Sequence, residues 1–79
     1  MITVYTTGPA CYKCKLTKDA LSKAGVAFTE VRLDQDEAAA AAMRDAGHVI
    51  APVVVDKLTG ATWSDFRRDL IKAAIEARA

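Results

Sequence analysis

Cysteine and histidine are scarce in this chain: two cysteines and one histidine among 79 residues. Zinc normally takes four ligands, mostly Cys and His. Cys11, Cys14 and His48 leave such a site without the partners it needs, so no metal ligands are assigned. Charge of one sign is lacking as well. Eleven Lys and Arg stand against ten Asp and Glu, a net charge of +1, which offers no attraction to nucleic acid or to an anionic membrane surface. Long hydrophobic runs are missing too. Ala38–Met43 and Val49–Val55 fall far short of a membrane span. No basic stretch precedes an apolar run and cleavage site, so no signal peptide is read and a cytoplasmic location is expected. No internal repeat or linker interrupts the sequence, and residues 1–79 are expected to form one domain around one core, with nothing requiring more than a monomer.

What is present alternates between two periodicities. Ile2–Thr6 is β-branched and aromatic, as a strand requires, and Gly8-Pro9 breaks it. From Tyr12 to Ala24 the spacing is helical, with Leu16, Ala20, Leu21 and Ala24 on one face and Gly25 just beyond the end. Residues 26–33 read as a second strand. Asp34 followed by Glu37 resembles a capping box opening an alanine-rich helix that ends near Gly47. Pro52-Val-Val-Val is a buried-strand pattern. Asp56–Gly60 reads as a turn, and Ala61–Trp63 as a short strand paired back in a hairpin. Ser64 or Asp65 is the expected cap of a last helix whose apolar stripe is Phe66, Leu70, Ile71, Ala74 and Ile75. The order is β-α-β-α-β-β-α. An opening βαβ unit implies parallel strands and a right-handed crossover, and the hairpin must be antiparallel. The predicted fold is therefore α/β, a four-stranded mixed sheet flanked by three helices.

Both cysteines lie in Gly8-Pro-Ala-Cys-Tyr-Lys-Cys-Lys15. Cys11 sits where loop becomes helix, and Cys14 follows one turn later, so the two sulfurs can meet. Free N–H groups and the positive end of the helix dipole stabilise a thiolate at Cys11. Lys13 and Lys15 add to this if they lie close. In Cys-x-x-Cys motifs at helix starts the thiol pKa falls to about 3.5–7.5 from about 8.5. Cys11 is then the nucleophile that forms a mixed disulfide, and Cys14 resolves it. Incidental thiols, a metal site and a structural staple are the competing readings. A bridge spanning three residues constrains little of the unfolded chain, which weakens the staple. His48 is read as a partly exposed loop residue, with a role in tuning the cysteines as the alternative. Trp63 is read as core, with a contact to a partner as the alternative.

A strand, a Cys-x-x-Cys helix start and a later proline opening a hairpin resemble the thioredoxin superfamily, and the short length resembles glutaredoxins. The chain is similar to NrdH-type redoxins in particular. Val4-Tyr5-Thr6, Ala51-Pro52-Val53-Val54, and Trp63-Ser64 with Phe66-Arg67 and Asp69 carry that resemblance, which runs over about residues 2–75. It implies a thioredoxin/glutaredoxin fold and a dithiol-disulfide oxidoreductase with no bound cofactor. Electrons would come from NADPH through thioredoxin reductase and pass to class Ib ribonucleotide reductase. It further implies Cys11 as attacking thiol, Cys14 as resolving thiol and Pro52 as a cis-proline. The Ala51 backbone would bind an extended partner segment. Tyr12, Lys13, Trp63, Ser64, Phe66 and Arg67 are the remaining expected partner-binding residues.

Glutathione-using glutaredoxins resemble one another in a Gly-Gly step followed by acidic residues. This chain has Ala61-Thr62-Trp63-Ser64 there. It departs from NrdH-type redoxins at Tyr12-Lys13, in a longer Thr7–Ala10 loop, at Ile50, and at Asp65 and Arg68, where the family has Gly and Pro. Such departures suit a divergent member, a phage-encoded copy for example, and bear on partner choice rather than thiol chemistry. Two alternatives stand: a glutaredoxin- or mycoredoxin-like enzyme that removes a low-molecular-weight thiol from mixed disulfides, and a non-catalytic binding module.

Overall fold

The computed structural model describes residues 1–8, 10–48 and 50–78. The break expected at Pro9, the start of the Val49–Val55 run at Val49 and the terminal Ala79 lie outside the described residues. Four strands and three helices follow in the predicted order: β1 (Ile2–Thr6), α1 (Tyr12–Lys23), β2 (Phe28–Arg32), α2 (Glu37–Asp45), β3 (Val53–Asp56), β4 (Thr62–Ser64) and α3 (Arg68–Glu76). The strands form one mixed sheet in the order β2-β1-β3-β4. β1 runs parallel to β2 and antiparallel to β3, and β3 pairs antiparallel with β4.

Alternation along the strands divides the sheet into two faces. Ile2, Val4, Val54 and Trp63 point to one face and join Leu21 of α1 with Ile71 and Ala74 of α3 in the core. On the other face Leu33 and Val53 line a groove with Ala40 and Met43 of α2. No residue of α2 is fully buried, so this helix lies on its sheet face more loosely than α1 and α3 do on theirs.

Three details correct the expectations. The buried face of α1 is Cys14, Thr17 and Leu21, rather than a stripe ending at Ala24, which is exposed. Thr17 is polar by composition, but its hydroxyl donates to the Lys13 carbonyl at 3.0 Å. That bond removes the cost of burying it. The cap of α2 is Asp36, whose carboxylate accepts from the Ala39 N–H at 3.0 Å; Asp34 instead pairs with Arg32. Neither Ser64 nor Asp65 caps α3, which begins at Arg68 after Arg67 with no side-chain cap. Asp65 has φ of 74°, a left-handed conformation that leads the chain into a turn rather than a helix.

The antiparallel register sorts the sheet into two ends. Ile2 lies opposite Asp56, and Tyr5 opposite Val53. The end of β1 that feeds the cysteine loop therefore lies beside Pro52. β4 adds to the same end, since Ser64 pairs with Val53 and the Asp65 N–H donates to the Pro52 carbonyl at 2.9 Å. Thr6, Pro52 and Asp65 thus stand side by side at one pole. Asp56 stands at the other, completely buried and gripped by Arg78 through two hydrogen bonds of 2.6 and 2.8 Å.

Candidate functional site

The loop after β1 turns back on itself, with the Cys11 N–H donating to the Gly8 carbonyl at 3.2 Å. Gly8 has φ of 119°, a backbone conformation that suits glycine, and little room for a side chain. A Cβ there would meet the Asp34 carboxylate at 3.1 Å and the Arg32 guanidinium at 3.3 Å. The Arg32–Asp34 pair, two hydrogen bonds of 2.8 and 2.6 Å, therefore backs the loop.

Cys11 is the residue that caps α1. Its backbone is extended, and its sulfur accepts from the Cys14 N–H at 3.2 Å, the place a Ser or Asp oxygen takes in ordinary helix caps. The Cys11 and Cys14 sulfurs are bonded to each other, with their Cα atoms 5.2 Å apart. The two differ in access. Cys11 is half-buried, whereas Cys14 is 1% exposed. Of the two, Cys11 is the one open to approach from solvent. Reduction would leave the Cys11 sulfur at the same N–H and at the positive end of the helix, where a thiolate is favoured.

Pro52 is buried beside this loop, and the Ala51–Pro52 bond is cis. Beyond it an apolar groove of about 330 Å³ runs past Thr7, Ile50 and Ala51 to Met43, with Arg44 and His48 at its rim. His48 is partly buried there, close to the loop-histidine reading. Ile50 is 48% exposed, and Tyr12, next to Cys11, is 71% exposed. These two side chains present apolar surface on the cysteine side of the molecule.

The remaining expected contact residues separate. Trp63 is 5% exposed and belongs to the core, so its ring is packing rather than contact surface; its Nε1 finds no acceptor among the described residues. Phe66 and Ser64 are partly buried, Phe66 against the core and 5.9 Å beneath the Arg68 guanidinium. Arg67 is exposed and engages Asp69 at 3.1 Å.

Lys13 and Lys15, expected to favour a Cys11 thiolate if they lie close, are both held in ion pairs. Lys15 pairs with Asp19 at 2.7 Å along the helix. Lys13 pairs with Asp65 at 2.7 Å across the site. Asp65, expected as a helix cap, instead meets Lys13. Its Oδ1 also accepts from the Phe66 N–H at 2.7 Å. The Lys13 ammonium first, and the Phe66 N–H second, hold its carboxyl below the usual aspartate range. Fifty-two positions separate Lys13 from Asp65, and no local pattern links them. Both, however, are departures from the family sequence, which was the available signal. Among the described residues no group of three or more His, Cys, Asp or Glu is placed to hold a metal ion.

A glutaredoxin family model matches residues 2–58. The glutaredoxin-like protein NrdH-redoxin from Escherichia coli is 36% identical over 91% of each chain, with a TM-score of 0.85. The thioredoxin-like protein BC3987 is 28% identical, over 94% of this chain and 99% of that one, with a TM-score of 0.79. A glutaredoxin from Archaeoglobus fulgidus, 22% identical with a TM-score of 0.74, shares the fold. Nothing among curated proteins matches. With its Cys11–Cys14 pair at disulfide distance, the chain belongs to the glutaredoxin family as a glutaredoxin-like redoxin of NrdH type.

Proposed function

We propose that this chain is a dithiol electron donor, recycled by thioredoxin reductase with electrons from NADPH and serving class Ib ribonucleotide reductase in the cytoplasm. In the productive direction the Cys11 thiolate attacks one sulfur of the acceptor disulfide. A Cys11–acceptor disulfide forms, and the other acceptor sulfur leaves as a thiolate that takes up a proton. Cys14, losing its proton, attacks the Cys11 sulfur and expels the second acceptor sulfur. Two electrons leave the pair, the acceptor gains two thiols, and the Cys11–Cys14 disulfide remains. The acceptor would lie as an extended segment along Ala51-Pro52, with Tyr12, Ser64, Phe66 and Arg67 around it.

The observation that carries this reading is the unequal burial of two bonded cysteines: a half-buried one at the helix cap and a fully buried one a turn later. The similarity to NrdH-redoxin, a glutaredoxin-like protein with a thioredoxin-like activity profile, supports the choice of reductase. The replacement of a Gly-Gly acidic step by β4, whose Trp63 is core, supports the lack of a dedicated glutathione site. NADPH oxidation coupled to a disulfide acceptor tests it, with thioredoxin reductase in one arm and glutathione with its reductase in the other. Turnover is expected in the first arm. Turnover restricted to the glutathione arm would sink the assignment.

The glutaredoxin family match favours a second reading, removal of a low-molecular-weight thiol from protein mixed disulfides. That reaction needs Cys11 alone. Full turnover of a Cys14→Ser variant on a glutathionylated or mycothiolated substrate would select it over the first.

A further inference from the structure

Two lysines in the first turn of α1 are unfavourable to the helix, whose amino end is already positive, and no acidic residue lies in that turn. Lys15 is answered along the helix by Asp19. Lys13 is answered from another element, and the residue that answers it sits in a backbone conformation usually left to glycine. Asp65 also bonds Pro52 through its N–H and Phe66 through its carboxylate. One residue therefore ties together the helix start, the cis-proline strand and the entry to α3.

We propose that Asp65 is a positioning residue for the dithiol: by pairing with Lys13 it removes an uncompensated positive charge two residues from Cys11, and so keeps the reduced pair a stronger electron donor. The physical step is simple. A cation near Cys11 stabilises its thiolate, a stabilised thiolate stabilises the reduced form, and a stabilised reduced form makes the couple more oxidising. Asp65 cancels that contribution. Around the helix start Lys15 pairs with Asp19, Arg67 with Asp69 and Arg32 with Asp34, while Arg68 lies over the Phe66 ring and Arg44 lines the groove. His48 stands across the loop at the groove rim. Lys13–Asp65 is the pair that bridges α1 to the β4–α3 turn.

The inference rests on the dithiol reading, and its test uses no protein partner, so failure of the proposed electron route leaves it untouched. Asp65→Asn retains a side chain that tolerates the left-handed backbone and still accepts from Phe66, but leaves Lys13 unpaired. The pH profile of Cys11 alkylation in the reduced protein then moves to lower pKa by about half a unit, the scale of an exposed charge pair. Against a dithiol redox buffer the reduced form gains about threefold, or ~15 mV at 29.6 mV per tenfold. Lys13→Gln, which strands the carboxylate, moves the profile the opposite way. The double variant returns close to the parent. A mere structural latch would move both single variants in the same direction, and that result, or no movement in either, overturns the proposal.

Discussion

Cys11 and Cys14 have the same side chain and sit in different surroundings. Cys11 sits at the cap with its sulfur toward a backbone N–H and its flank open to solvent; Cys14 is under it, covered by the fold. Replacing Cys11 by Ser is expected to abolish disulfide reduction, since the attacking sulfur is gone. Replacing Cys14 by Ser leaves attack intact and removes resolution. The variant is then expected to accumulate a one-to-one mixed disulfide with its acceptor, visible by mass spectrometry without reductant. Absence of that species while reduction continues would reassign the resolving role. The motif and its place at a helix start were legible in the sequence, because the Cys-x-x-Cys spacing puts both sulfurs on one helix turn. The partner of Lys13 was not, because an ion pair between elements depends on how those elements dock, whereas the Lys15–Asp19 pair lies four residues apart on one helix.

At the scale of the element, periodicity identified every helix and strand, while the starts of the helices were decided by side-chain geometry. Asp34 and Asp36 both precede α2, and either fits a cap by composition. Arg32 binds Asp34, which leaves Asp36 to accept from Ala39. Asp36→Ala is expected to weaken α2 by about 1 kcal/mol, the usual worth of a cap. Because α2 buries no residue fully, the loss should show as faster hydrogen exchange of its amides. Asp34→Ala should leave those amides protected and loosen the Gly8 loop instead. The start of α3 shifted for a related reason. Asp65 accepts from Phe66 in a turn and pairs with Lys13, so the helix cannot begin until Arg68.

For the whole molecule, the sheet register separates a redox pole from an anchoring pole. Asp56, 0% exposed, binds Arg78 across the far end and fastens the segment just after α3 to β3. The Arg78 guanidinium first, and the Leu58 N–H after it, hold the Asp56 carboxyl far below the usual range. In the unfolded chain that carboxyl titrates near about 3.9. The unfolded state therefore binds a proton that the folded state refuses. The pair's stabilisation is fully present above that pH and fades as pH falls below about 4 toward the depressed folded value. Acid denaturation is expected to steepen there. Asp56→Asn should cost about 3 kcal/mol at neutral pH, as breaking a buried pair does. It should also flatten that acid limb in urea titrations. The dithiol, at the opposite pole, should keep its Cys11 alkylation profile in this variant.

The sequence by itself determined the order of elements, the two-faced sheet and the reactive pair. Those follow from local periodicity and from the chemistry of a cysteine at a helix end. Tertiary structure decided what no local pattern encodes: that Thr6, Pro52 and Asp65 align at one end of the sheet, and that Lys13 meets Asp65. Register fixes the first, because pairing in a sheet sets neighbours and faces at once. The last follows from the docking of α1 beside the β4–α3 turn, which brings together two charges fifty-two residues apart.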